Sequence, residues 1–237
     1  MTRNSTRVLD NAPVQDEWRL LRGAATGDKG LAPGHWVHLS GQHAEASVAV
    51  YRYHAHEGWW AALLPPDHRL AQLTPGEPLT IEGVRGEPLP PPDGDTLMLG
   101  SGQGVGPILA LAEGAETAPR LVCLGDASGL PVRTCPSRYV VPHLPAHVIA
   151  GVVPLEAAGI AARVALPDER PGCYDGAVMD LLAAYLEGVQ ACSEPPPTAL
   201  IAAGPWPDLA AMPRRCDWAP QRVAALEIPA ASGAPPR

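Results

Sequence analysis

Between Thr96 and Gly114 the chain reads TLMLGSGQGVGPILALAEG, with glycine at 100, 102, 104 and 106 and proline at 107. Glycine loses more conformational freedom on folding than any other residue. A cluster of it therefore marks backbone that takes positive φ or passes very close to another group. An apolar run, a glycine-rich bend and a second apolar run give the order strand, loop, helix, which is a common way to present backbone N–H groups to a phosphate. The spacing is not that of the dinucleotide fingerprint G-x-G-x-x-G. Val105 stands where the third glycine falls when counting from Gly100, and Pro107 stands there when counting from Gly102.

Other residues have chemistry to offer. Asp126, in LVCLGDASG, follows another apolar run. A carboxylate at that place accepts from both ribose hydroxyls and repels a 2′-phosphate, which favours NADH over NADPH; the plainer role is to cap the next turn. In VYRYHAH, Arg52 and His54 are two apart and share one strand face, while Tyr51 and Tyr53 share the other. His35, His38, His54 and His56 lack a third ligand at a diagnostic spacing, so no metal site is assigned. GSGQG lacks the G-x-S-x-G elbow of a serine hydrolase. Trp59 and Trp60 read as one inward and one edge residue, and Glu156 is not assigned a catalytic role.

These residues need elements to hold them. HWVHLSG, EASVAVYRYHAHEGWWAALLPP and PGEPLTIEGVRGEPL carry β-branched and aromatic residues between proline and glycine turns, which predicts short antiparallel strands. GEPLPPPDGDT is a stiff joint. Beyond it, the apolar runs TLMLG, RLVCLGD, HVIAGVV and TALIAAG alternate with the helical stretches PILALAEGAE, PLEAAGIAARV and YDGAVMDLLAAYLEGV. Such runs suit parallel strands buried on both faces. Asp175 is placed to cap the helix that follows it. The expected fold is an N-terminal antiparallel β-barrel, residues 1–92, followed by a C-terminal α/β domain with a parallel sheet, residues 93–237.

Composition narrows the function classes. The 237 residues carry a formal net charge of -8, which argues against a general nucleic-acid or anionic-membrane binder. No apolar run approaches the roughly 20 residues needed to cross a bilayer, and the N-terminus has no apolar signal segment, so a cytoplasmic protein is expected. Cys123, Cys135, Cys173, Cys192 and Cys216 are widely spaced with no CxxC, and read as reduced, buried thiols.

The stretch Gly102-Gln103-Gly104-Val105-Gly106-Pro107 followed by Ile108-Leu109 resembles the GGTGIAP segment of ferredoxin–NADP reductase-like flavoproteins. TALIAAGPWPDLAAM is similar to that family's late Cys-Gly-Pro strand, with Gly204 and Pro205 matching and Ala203 at the cysteine position. LTPGEPLTIEGVRGEPL resembles the strand that closes the family's barrel, and PGHWVHL its PGQFV.L strand. The resemblance runs from about residue 30 to 228 and is closest to the electron-transfer subunit of dihydroorotate dehydrogenase. It implies FAD on the β-barrel, a nicotinamide nucleotide on the α/β domain, hydride transfer between them, and a protein redox partner.

The departures are as informative. The family's R-x-Y-[ST] strand, whose arginine meets the FAD pyrophosphate, aligns with EASVAVYRY so that Ala46 or Ser47 stands at the arginine. Arg52 and His54 are the nearest substitutes, and reach it only if the strand register slips. Without that arginine a dianionic pyrophosphate lacks its bidentate partner. An iron–sulfur cluster needs four thiolates, and only Cys216 lies in the corresponding region, so none is expected. Two functions stay open: a flavin-dependent NAD(P)H oxidoreductase or electron-transfer component, and a degenerate reductase-like scaffold without flavin that acts as a binding or regulatory partner. On the cofactor reading, Gly104→Val is expected to abolish NADH binding, measured by titration, because a branched side chain would meet the nucleotide.

Overall fold

The computed structural model describes residues 4–25, 30–42, 44–206 and 218–228. The first part holds seven strands: β1 (Asn4–Pro13), β2 (Arg19–Ala24), β3 (His35–Ser40), β4 (Glu45–Ala49), β5 (Arg52–His54), β6 (Trp59–Leu64) and β7 (Pro78–Gly86). They form one antiparallel sheet in the order β4-β3-β7-β1-β2-β6-β5. The sheet curls around Val8, Leu21, Val37, Leu39, Val48, Trp60 and Leu79, each at most 1% exposed. Trp60 points into that core. Trp59, its neighbour, points outward and stacks on His54 at 4.0 Å between ring centroids, as strand alternation requires.

The second part holds β8 (Thr96–Gly100), α1 (Val105–Glu113), β9 (Leu121–Gly125), β10 (Thr134–Pro136), β11 (Ala150–Val152), α2 (Val153–Ala157), β12 (Ala162–Leu166), β13 (Tyr174–Asp175), α3 (Val178–Ala191), β14 (Ala199–Gly204) and β15 (Arg222–Glu227). Six of these strands form a parallel sheet in the order β13-β12-β9-β8-β14-β15. The unbroken apolar run of β8 is explained by what covers it. Leu97 and Leu99 pack on the face that carries α3, with Leu181, Leu182 and Tyr185. Met98 lies on the opposite face with Ile108 and Leu109 of α1. A strand buried on both sides has no place for a polar residue.

Three local expectations are corrected. HVIAGVV does not join the parallel sheet: Ala150–Val152 pairs antiparallel with Thr134–Pro136 in a separate two-stranded ribbon. PLEAAGIAARV is helical only through Ala157. Gly159 then takes φ +81°, the left-handed conformation that ends many helices, and Ala162–Leu166 becomes a strand against β9. Asp175 lies in β13 and is not the cap of α3; the Asp180 carboxylate does that work, accepting from the Ala177 N–H at 3.1 Å. Among the described cysteines, Cys123 and Cys173 are buried, Cys135 is half-buried and Cys192 is exposed. Burial pushes the Cys123 thiol up to about 12, so it stays protonated. Cys216 lies outside the described residues. No described helix is long and apolar enough to cross a membrane.

The two parts are clamped together. The α1 face of the parallel sheet shares one apolar cluster with Trp18, Ala49 and Leu63 of the β part. Trp18 is fully buried, and its indole N–H donates to the Ser128 carbonyl at 3.4 Å. Asp16 accepts from the Leu130 N–H at 3.0 Å and from Arg170 at 2.5 Å. Burial alone would raise the Asp16 carboxyl. Hydrogen bonds from Arg170, the Leu130 N–H and Gln15 outweigh it and hold the group below its ordinary value. A carboxyl held low in this way stabilises the fold above its unfolded-state pKa, and that contribution is lost as pH falls through the folded-state value. Asp16→Asn keeps the shape and tolerates the φ of 51°. It is expected to cost about 1–2 kcal/mol in urea unfolding at pH 7. The gap to the parent protein should close as pH falls below about 4.

Candidate functional site

The order of the parallel sheet defines a switch point. From β8 the chain moves to β9 and β12 on one side, and later to β14 on the other. In sheets of this type ligands bind beyond the carboxyl ends of the strands where that order reverses. The carboxyl ends of β8 and β14 are Gly100 and Gly204, paired across the sheet through Gly100 and Ala203. The glycine bend and the Gly204-Pro205 step therefore meet at this one place, although about a hundred residues separate them in sequence.

The bend packs tightly. Gly102, Gln103 and Gly104 form a 3-10 turn that leads into α1, and all three are buried. A Cβ on Gly104 would fall on the backbone carbonyl of Ala203 in β14, far inside van der Waals contact. A Cβ on Gly106 would lie 3.2 Å from the Tyr51 Cβ and 3.5 Å from Leu63, and one on Gly204 would lie 2.8 Å from the Trp206 ring. At these three positions the protein's own atoms fill the space that the sequence reading left for a nucleotide. Gly102 is different. It has φ +53°, and its Cβ would lie 3.5 Å from both Asp126 Oδ2 and Pro205 Cδ. Three of the expected site residues, Gly102, Asp126 and Pro205, thus converge on one spot. Val105 and Pro107 are buried in the first turn of α1, where proline's missing N–H costs no helical bond.

Asp126 takes the turn-closing role through one carboxylate oxygen. Its Oδ1 accepts from the Ser128 N–H at 3.0 Å and the Ser128 hydroxyl at 2.5 Å, which closes the turn. Oδ2 keeps its acceptor capacity and faces Gly102.

Gln103 makes the contact between the bend and the β part. Its side chain lies on the free edge of β4, the outermost strand of its sheet. Oε1 accepts from the Ala49 N–H at 3.1 Å, and Nε2 donates to the Ser47 carbonyl at 3.3 Å. His68 reaches the same carbonyl. Its Nδ1 accepts from the Leu70 N–H at 3.2 Å, which leaves the proton on Nε2, 3.4 Å from the Ser47 oxygen. His68 is 2% exposed, and burial lowers its pKa, so the neutral ring is the working form.

Arg52 and His54 share the outer face of β5, and both have partners there. Arg52 is ion-paired with Glu113 at the end of α1 and sits over the Tyr51 ring. His54 is stacked on Trp59. The pyrophosphate role that a register slip would give them has to compete with these contacts. Arg69, which the sequence reading passed over, lies in the 3-10 turn Arg69–Gln72. It lines an open cavity of about 530 Å³ with Ser40, Gln42 and Glu45 at the start of β4. Arg69 approaches the start of β4 from a separate turn, and no short motif links the two. The helix expected after Pro205 lies outside the described residues.

No family model matches the chain, and no curated protein matches it significantly in sequence. Solved structures do match it. The ferredoxin reductase in carbazole 1,9a-dioxygenase aligns with a TM-score of 0.65 at 14% identity, over 95% of this chain and 69% of that one. The cytochrome P450 reductase of Amycolatopsis aligns at 0.61 and 17% identity, over 97% and 71%. A siderophore-interacting protein from Aeromonas hydrophila aligns at 0.59 and 15%, over 95% and 96%. The chain has the ferredoxin reductase-like fold, an antiparallel β part followed by an α/β part with a parallel sheet. The matches do not single out the dihydroorotate dehydrogenase subunit.

The packing changes the meaning of a glycine substitution. Gly104→Ala is expected to lower stability by about 3 kcal/mol through the β14 backbone, with or without nucleotide. Gly104→Val therefore cannot report on a cofactor. Gly102→Ala meets only ordinary contacts and costs about 1–2 kcal/mol for its left-handed conformation. If a nicotinamide nucleotide lies beside Asp126, Gly102→Ala weakens NADH binding in calorimetry by more than it lowers the midpoint of a denaturant melt. An unchanged NADH affinity removes Gly102 from the site.

Proposed function

We propose that the protein is a flavin-dependent, NADH-linked oxidoreductase or electron-transfer component. The observation that carries this reading is the convergence of Gly102, Asp126 and Pro205 at the switch point, directly beside a β4 edge that offers one backbone donor and one backbone acceptor. Asp126 Oδ2 would take a ribose hydroxyl, and its charge would disfavour a 2′-phosphate. The β4 edge at Ser47 and Ala49 fits the amide-like edge of a flavin ring. Arg69, beside the start of β4, would supply the positive charge for the phosphate that the strand itself lacks. A bound flavin would accept hydride from NADH and pass electrons on singly to a partner, which on this reading is another redox protein. The chain's task is to hold the two rings together and keep water out. Trp18, Val105 and Leu63 already exclude water from the neighbouring interface.

A second reading has an observation of its own. The bend is filled by Ala203 and Tyr51 at two of its glycine positions, Trp206 covers Gly204 at the end of β14, and the β4 edge is held by Gln103. That packing suits a reductase-like scaffold that no longer needs a cofactor and serves as a binding or regulatory partner.

Titration of the purified protein with FAD, followed by NADH under anaerobic conditions, separates the two. On the first reading the flavin absorption band shifts on binding and bleaches with NADH. Arg69→Ala is expected to weaken FAD by about tenfold while leaving riboflavin, which has no phosphate, unchanged. A protein that leaves the FAD spectrum unaltered supports the scaffold.

A further inference from the structure

The Gln103 carboxamide presents an oxygen acceptor and an N–H donor side by side, and β4 uses both. The same pair, a carbonyl next to an N–H, is the imide edge of a flavin's pyrimidine ring. From this geometry we infer that Gln103 is an intramolecular competitor for the β4 edge, so that flavin binds reversibly, by exchange with the Gln103 side chain. The inference rests on the flavin reading above.

Several features make the exchange inexpensive. Ser47 O has two donors, Gln103 and His68, so it keeps a partner when Gln103 leaves. Only the Ala49 N–H would be left buried without an acceptor, and a ring carbonyl would restore it. Gln103 has three side-chain torsions, so it can swing out while Gly102 and Gly104 stay packed on Pro205 and Ala203. β4 is the outermost strand of its sheet, so no neighbouring strand contests these backbone groups. A permanently held flavin would have no use for a buried side chain of the protein in its own hydrogen-bonding position. Gln103 is 6% exposed and fully committed to that position.

The test compares the full-length parent protein with Gln103→Ala and Gln103→Asn, using riboflavin and 3-methylriboflavin, which lacks the imide N–H. The Asn side chain is one methylene shorter and reaches β4 poorly. Gln103→Ala is expected to bind riboflavin about tenfold more tightly than the parent, with Gln103→Asn between them. 3-Methylriboflavin should show no such gain. Exchange of the Ala49 amide, followed by NMR, should be slow in the parent, faster in Gln103→Ala, and slow again once riboflavin is added. If Gln103→Ala does not fold, the Gln103→Asn comparison and the Ala49 exchange rate in the parent with and without riboflavin carry the same test. Equal or weaker riboflavin binding by folded variants overturns the competitor role and leaves the flavin reading standing. Binding of no flavin by the parent or by any variant overturns both.

Discussion

The close approach of one turn to one strand organises this molecule. The bend between β8 and α1 passes over the end of β14 so tightly that Gly104 rests on the Ala203 carbonyl, where any side chain would collide. That contact fixes the direction of α1, which carries Val105, Ile108 and Leu109 into the cluster shared with the β part. It also fixes where Gln103 points. A bend lifted away from β14 to admit a Cβ would lose the Gln103 bridge to β4, and with it one of the ties between the two halves.

The same constraint explains how the site differs from a permanently charged cofactor cradle. The strand order reverses at β8, between β9 and β14, and Asp126 stands beside Gly102 at the carboxyl end of the sheet. Much of the space beside them, however, belongs to Tyr51, Leu63 and Trp206. Positive charge is scarce as well. Arg52 is neutralised by Glu113, and Arg170 by Asp16 and Asp168. Arg69 stands at the start of β4 with Glu45 beside it in the same cavity. On the proposed flavin reading such a site would give modest, exchangeable affinity, because one cation would replace a bidentate fork at the phosphate.

The interface between the halves combines apolar burial with a small set of polar fasteners. Trp18 contributes a large buried ring and one hydrogen bond, and Asp16 ties the β part to both Leu130 and Arg170. The Ser128 and Leu130 contacts lie on the loop that follows β9, the same loop that carries Asp126, whereas Arg170 follows β12.

The sequence by itself determined the two kinds of sheet. Runs without polar alternation, such as TLMLG and TALIAAG, fit only strands covered on both faces, and the proline-rich joint separated them from the half-buried strands before it. It also offered Gly102, Asp126 and Pro205, with the rest of the glycine bend and Gly204, as candidates, because backbone freedom and charge at strand ends are local properties. What only the tertiary structure decided is what fills the space around them. The β14 carbonyl under Gly104, the Glu113 partner of Arg52 and the Arg69 side chain beside β4 all come from distant segments. HVIAGVV and the end of PLEAAGIAARV were misread for the same reason: short apolar segments become strand or helix according to the neighbour that pairs with them, here β10 and β9. Gln103 shows the division most clearly. Its position in the bend was legible from the chain, but its two hydrogen bonds to β4 exist only because folding brings an unpaired strand edge within reach.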